Sequence, residues 1–193
     1  MKVIITENYE EMSKVAADLI INIVKNNPYA VLGLPTGSSP IGTYDNMVKD
    51  HLENGTSYKN VRTVNLDEYV GLNGDHEQSY RYFMNNNLFK HINIDINNTY
   101  VPNGCATDVE AECKAYDALI EKLGGIDLQL LGIGYDGHIG FNEPDPYFEK
   151  ATHKVTLDSS TIEANSRFFA SRDDVPTQAI TMGMGGIMSA KKV

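Results

Sequence analysis

The chain has no apolar stretch near the roughly 20 residues that a membrane-spanning helix needs, so it is not expected to cross a bilayer as a helix. Its first residues, Met1-Lys-Val-Ile-Ile-Thr6, carry one lysine and a very short apolar run. That is too little for the apolar segment of a secretion signal, and a cytoplasmic location is expected. Cysteine is scarce: Cys105 and Cys113 are the only two, and they do not form a C-x-x-C pair. They read as two reduced thiols, and a cysteine metal site would need more ligands nearby. Positive charge is in short supply, with 16 Lys and Arg against 26 Asp and Glu, for a formal net charge of −10. This argues against nucleic acid or an anionic membrane as partner, and an anionic ligand would need a local cationic site. Repeats, low-complexity tracts and linkers are absent as well, so the 193 residues read as one domain, 1–193.

What is present is an alternation of strand and helix signals, which favours a parallel sheet with helices on both faces. Residues 3–5 read as a short strand. Asn8 reads as a helix N-cap with Glu11 three positions on, followed by Met12, Val15, Ala16, Leu19 and Ile23 at helical spacing. Strands are expected over residues 30–34 and 61–66, and helices over 41–52 and 77–89. Thr107-Asp-Val-Glu110 has the form of a capping box, and the helix after it carries Val109, Cys113, Tyr116, Ile120 and Leu123 on one face. Residues 126–132 form the most apolar segment and are expected to be the central strand. Later strands are expected over 153–157 and 178–182.

Three strand ends carry residues capable of chemistry. Parallel strands point the same way, so these ends line one edge of the sheet, where open α/β sheets bind ligands. The segment Leu131-Gly-Ile-Gly-Tyr-Asp-Gly-His-Ile-Gly-Phe-Asn-Glu143 places Asp136, His138 and Glu143 within eight positions, among glycines. A histidine flanked by carboxylates can be tuned for proton transfer near neutral pH. Asn142 and Pro144 imply a fixed loop shape. Asp67 ends another strand beside Glu68, placed either to act as a base or to cap the next segment. Paired acids can also hold a divalent cation, but no ligand cluster demands one. Thr36, Gly37, Ser38 and Ser39 lie between a strand and a helix. They suit either a phosphate or an ordinary hydroxyl-rich turn, and the Walker A spacing is missing. Arg167, beside aromatic residues, reads equally as an anion ligand or a surface arginine.

Taken together, Leu34-Pro-Thr-Gly37, Asn65-Leu-Asp-Glu-Tyr-Val-Gly-Leu72, Gly132-Ile-Gly-Tyr-Asp-Gly-His-Ile-Gly-Phe-Asn-Glu-Pro144 and Ala164-Asn-Ser-Arg-Phe-Phe169 closely resemble the glucosamine-6-phosphate deaminase family. The resemblance runs in order along the whole chain. It implies a Rossmann-like three-layer α/β/α fold with a mostly parallel sheet. It implies conversion of glucosamine 6-phosphate and water to fructose 6-phosphate and ammonia, in amino-sugar catabolism, with no metal or organic cofactor. Carried onto this sequence, His138 promotes opening of the sugar ring, and Asp136 and Glu143 orient and tune it. Asp67 takes the C2 proton and returns it at C1. Thr36, Gly37, Ser38, Ser39 and Arg167 hold the phosphate.

The family continues past residue 193, so the resemblance also implies that the family's last strand and helices are lacking, among them a phosphate-binding lysine that Lys191 and Lys192 come too early to replace. Three alternatives stand beside the deaminase: a lactonase of the same fold, a non-enzymatic sugar-phosphate sensor, and an inactive shortened enzyme. The expected partner is a small amino-sugar phosphate, with a homo-oligomer left open.

Overall fold

A computed structural model of the protein describes residues 2–134, 136–166 and 169–193. Its strands are β1 (Val31–Leu34), β2 (Arg62–Asn65), β3 (Asp67–Tyr69), β4 (Thr99–Tyr100), β5 (Leu128–Gln129), β6 (His153–Thr156) and β7 (Gln178–Thr181). Its helices are α1 (Tyr9–Asn26), α2 (Ile41–Asn54), α3 (Tyr80–Asn87), α4 (Val109–Lys122), α5 (Ser159–Ser166) and α6 (Met184–Met188). Among the described residues, no helix is long and apolar enough to cross a membrane.

Four strands form a parallel sheet in the order β4-β2-β1-β5. Side chains alternate along a strand, and β1 uses both directions. Leu32 and Leu34 join Ile20, Ile21, Met47 and Met84 in a core beneath α1, α2 and α3. Val31 and Val64 join Tyr116, Ile120 and Ile187 in a second core beneath α4 and α6. The result is the expected three-layer α/β/α arrangement.

Local signals explain most helix starts. The Asn8 side chain accepts from the Glu11 N–H at 2.8 Å, so the predicted cap of α1 is present. The buried face of α1 is Ser13, Ala17, Ile20, Ile21 and Val24 rather than the expected Met12, Val15, Ala16, Leu19 and Ile23. Met12 and Leu19 are exposed. The small residues Ser13 and Ala17 are buried because α1 lies close against α2: a Cβ on Gly42 would meet Ser13 Oγ at 2.5 Å. For α4 the cap is Asp108, which accepts from Ala111 N–H, so the capping box read at Thr107 is displaced by one residue.

Other expectations are corrected. Residues 3–5 are not a strand; Val3 and Ile5 are 71% and 91% exposed, and three apolar residues gain nothing from extension without a partner strand. The strand expected over residues 126–132 shrinks to β5, two residues at an edge of the described sheet. On its outer side, Lys191 N–H donates to Ile126 O and Gln129 N–H to Lys192 O. The strands near residues 153 and 178 exist, but they join β3 in a separate antiparallel sheet of order β3-β7-β6. Only Leu66 separates β2 from β3, so the chain changes sheets within one residue.

Candidate active site

Strand register brings the three chemistry-bearing segments to one edge. Leu34 of β1 lies beside Asn65 of β2, and Gly33 lies beside Gln129 of β5. The segments that follow therefore leave the sheet side by side: Thr36–Ser39 after β1, Asp67 after β2, and residues 131–143 after β5. This is the C-terminal edge of the parallel strands, the position the sequence predicts for a ligand.

Asp67 and Glu68 are adjacent on β3 and point to opposite faces. Asp67 is 6% exposed, and burial, with the neighbouring Glu68 charge adding to it, pushes its carboxyl up to about 8. It sits beneath the histidine loop: a Cβ on Gly140 would lie 3.3 Å from Asp67 Oδ2 and 2.9 Å from Thr181 Oγ1. Thr181 faces Asp67 across the β3–β7 pair, and its hydroxyl accepts from Phe141 N–H at 3.1 Å. Glu68 has a different task, for its carboxylate accepts from Tyr69 N–H, Tyr80 N–H, Arg81 N–H and Ser79 Oγ. It caps α3 and ties that helix to β3. Burial raises the Glu68 pKa, and the four hydrogen bonds pull it back down.

His138 Nδ1 is 2.7 Å from Asp136 Oδ1 and 3.9 Å from Glu143 Oε2. A proton on Nδ1 directed at Asp136 leaves the Nε2 lone pair as the ring's acceptor. The two carboxyls are pushed apart. Asp136 is lowered, first by the hydrogen bond it accepts from His138 N–H, whereas burial raises Glu143, with the hydrogen bond to Asp136 adding to the rise. Thr161 on α5 donates to Glu143 Oε1 at 3.3 Å. The ligand atoms of Asp136, His138 and Glu143 all lie within 4.8 Å of one another. Such a trio can share a cation or a proton, and the 2.7 Å Nδ1–Oδ1 contact has the length of a charge-assisted hydrogen bond. Asn142 fixes the loop by donating from Nδ2 to Ile139 O and Met182 O. The ring also needs Gly134, because a Cβ there would meet His138 Cε1 at 2.3 Å.

In the Thr36–Ser39 loop, Thr36 is half-buried and Gly37, Ser38 and Ser39 are exposed. Gly37 has φ +95°, a left-handed conformation that favours glycine. The loop's anchors are Tyr44, whose hydroxyl donates to Pro35 O, and Tyr9, whose hydroxyl contacts Ser38 O and Ser39 O. Arg167 lies outside the described residues. A cavity of about 320 Å³ lined by Lys25, Asn54 and Thr56 opens between the C-terminal ends of α1 and α2, at the opposite edge of the strands, and it contains none of the site residues. Sequence reasoning missed Thr181, Thr161 and Tyr9. Their partners lie 40, 18 and about 30 positions away, and no local pattern announces such contacts.

A buried carboxyl raised to about 8 thus lies beneath a carboxylate-flanked histidine, at the sheet edge where open α/β folds bind ligands. The family model for glucosamine-6-phosphate isomerases and 6-phosphogluconolactonases matches residues 6–193, and the chain belongs to that family. It is 61% identical to a glucosamine-6-phosphate deaminase of Clostridium perfringens over 193 residues, which are 100% of this chain and 80% of that one. It is 62% identical to the deaminase of Geobacillus sp. WCH70, covering 77% of that protein. A solved monomeric glucosamine-6-phosphate deaminase superposes with a TM-score of 0.95 at 48% identity, over 98% of this chain and 79% of the other. A 6-phosphogluconolactonase of Trypanosoma cruzi, 18% identical with a TM-score of 0.75 over 98% of this chain and 77% of that one, shares the fold.

Proposed function

We propose that this protein is a glucosamine-6-phosphate deaminase, converting glucosamine 6-phosphate and water to fructose 6-phosphate and ammonia. The observation that carries this reading is Asp67: a buried carboxyl raised to about 8, under the loop that presents His138. In the reading, His138 shuttles the proton from the sugar's anomeric hydroxyl to the ring oxygen, which opens the ring. Asp136 and Glu143 hold its tautomer and orientation. Asp67 removes the C2 proton, giving an enolamine, and returns that proton to C1, while a second proton passes from the amine nitrogen to O1, leaving an imine at C2. Water adds at C2, the C–N bond breaks, and ammonia leaves. Each positioned proton-transfer group contributes about 10²–10⁴-fold. No step draws on a redox cofactor, because the isomerisation moves hydrogen within the substrate.

The Thr36–Ser39 loop and Arg167 are assigned to the phosphate. A site complete within one chain is supported by the monomeric relative of 48% identity. A cytoplasmic setting belongs to the same reading, as suits a metabolite substrate. The test is release of ammonia and fructose 6-phosphate, in equal amounts, from glucosamine 6-phosphate by the purified chain. A folded chain that releases neither is a sensor or an inactive form, and lactone hydrolysis in their place makes it a lactonase. Within the reading, Gly134→Ala should lower turnover about 10²-fold by displacing the His138 ring. Far-UV circular dichroism of the variant should match the wild type, and unaltered turnover would show that the ring's seat is not required.

A further inference from the structure

An anion-binding loop needs its N–H groups turned toward the anion and its carbonyl oxygens turned away. In the loop before α2, two carbonyls are held by a residue from another helix. Tyr9 opens α1, and its hydroxyl lies 3.2 Å from Ser38 O and 3.1 Å from Ser39 O. The same oxygen accepts from Gly42 N–H at 2.9 Å. Gly42 is in the first turn of α2, whose N-cap, Pro40, makes no side-chain cap hydrogen bond. Tyr9 thus serves one of the helix's otherwise unmatched donors from outside. Close packing supports it, since a Cβ on Gly42 would stand 3.0 Å from Tyr9 Cε1.

The consequence follows from peptide geometry. The C=O and N–H of a trans peptide point in opposite directions, and there are no cis peptides among the described residues. Drawing Ser38 O toward Tyr9 aims the Ser39 N–H the other way. The Ser39 carbonyl faces the same hydroxyl, whose single proton the two oxygens share, so both oxygens are turned to the Tyr9 side. The helix end adds only a long contact, from Ile41 N–H to Ser38 O at 3.4 Å.

We infer that Tyr9 is a positioning residue for phosphate recognition: its hydroxyl fixes the peptide planes of Ser38 and Ser39 so that the loop accepts a phosphate group. The inference rests on the sugar-phosphate reading of that loop, and it concerns binding rather than proton transfer. Removing the hydroxyl should weaken the ground state and transition state equally, raising KM and leaving kcat alone.

The experiment uses the full chain with Tyr9→Phe, which deletes one oxygen from a side chain that is 44% exposed. Kinetics with glucosamine 6-phosphate, inhibition by inorganic phosphate, and calorimetric titration with inorganic phosphate are compared with the wild type. KM, Ki and the phosphate Kd should each rise about fivefold, the effect of losing one net hydrogen bond, with kcat within about twofold. Tyr9→Leu, which also removes the ring, should lose no more phosphate affinity than Tyr9→Phe. A wild type that binds phosphate without turnover, with weaker binding in Tyr9→Phe, would sink the deaminase reading and leave this inference standing. An unchanged Ki and Kd, a fall in kcat alone, a much larger loss in Tyr9→Leu, or a wild type that binds no phosphate would each overturn it.

Discussion

Asp67→Asn should abolish ammonia release, by about 10³-fold or more, and at the same time make the protein more stable. The first effect follows from the role proposed for Asp67, the base that carries the C2 proton to C1. The second follows from the base's surroundings. In an unfolded chain an aspartate titrates near about 4; in the fold Asp67 is raised to about 8, mainly by burial. The folded protein therefore holds this proton more tightly than the unfolded one. Its contribution to stability is complete below the unfolded value and is lost as pH climbs through about 8. Above that the fold must carry a buried negative charge beside Glu68, and asparagine carries none. The Tm gain should be full at pH 9, about half as large at pH 6 and small near pH 4, at about 3 °C for each kcal/mol in a chain of this length. In the wild type, kcat/KM should rise with pH and level off above about 8, because the base works ionised. A variant that still releases ammonia at the wild-type rate would remove Asp67 from the mechanism.

Glu68→Ala should cause the largest loss of stability of any single substitution at this end of the sheet. Glu68 is 2% exposed and receives four hydrogen bonds, three from backbone N–H groups and one from Ser79. Alanine leaves these donors without the acceptor they share and leaves the first turn of α3 with only its Ser79 cap, which accepts from Tyr82 N–H. Each unsatisfied donor costs about 1–3 kcal/mol, and partial rescue by water brings the expected total to roughly 4 kcal/mol. That is a fall in Tm of about 10 °C. Glu68→Gln gives an intermediate result, since its one carbonyl oxygen can serve Tyr69 and Tyr80 while the amide nitrogen faces the donors Ser79 and Arg81. Thermal unfolding of the two variants measures this, and an alanine variant as stable as the wild type would show that α3 does not depend on the cap.

The placing of the candidate site was more legible in the sequence than the architecture around it. Asp67, Asp136, His138 and Glu143 could be picked out because each sits where an apolar segment breaks into glycine and charge, and the structure puts their segments at one sheet edge. The Asn8 cap and the strand before Thr36 were legible for the same local reason. Sheet membership was not. Asp67-Glu-Tyr69 reads as the end of a strand, but it is the whole of a new one, because pairing with β7 is a property of residues far away in sequence. The apolar run 126–132 looked central because edge and centre differ in neighbours rather than in hydropathy. Glu68 looked like half of a carboxylate pair, and only the position of α3 reveals it as a cap. On α1 the apolar positions pointed one way, and the close approach of Gly42 selected a face containing Ser13 instead.

The change of sheet at Leu66 has a consequence for the order in which the molecule is assembled. Leu34 finds Asn65 across only 31 positions of chain, so this pair can form early. Asp67, two residues on, pairs with Thr181, 114 positions away. A chain emerging from the ribosome can thus complete β1, β2 and their helices while Asp67 is still unsupported. Asp67 gains its strand partner only when the distant β7 arrives, and β7 brings Thr181, the residue that also seats the histidine loop. Asp67 and the histidine loop therefore depend on the same distant strand, and a chain that lacks β7 lacks the support of both.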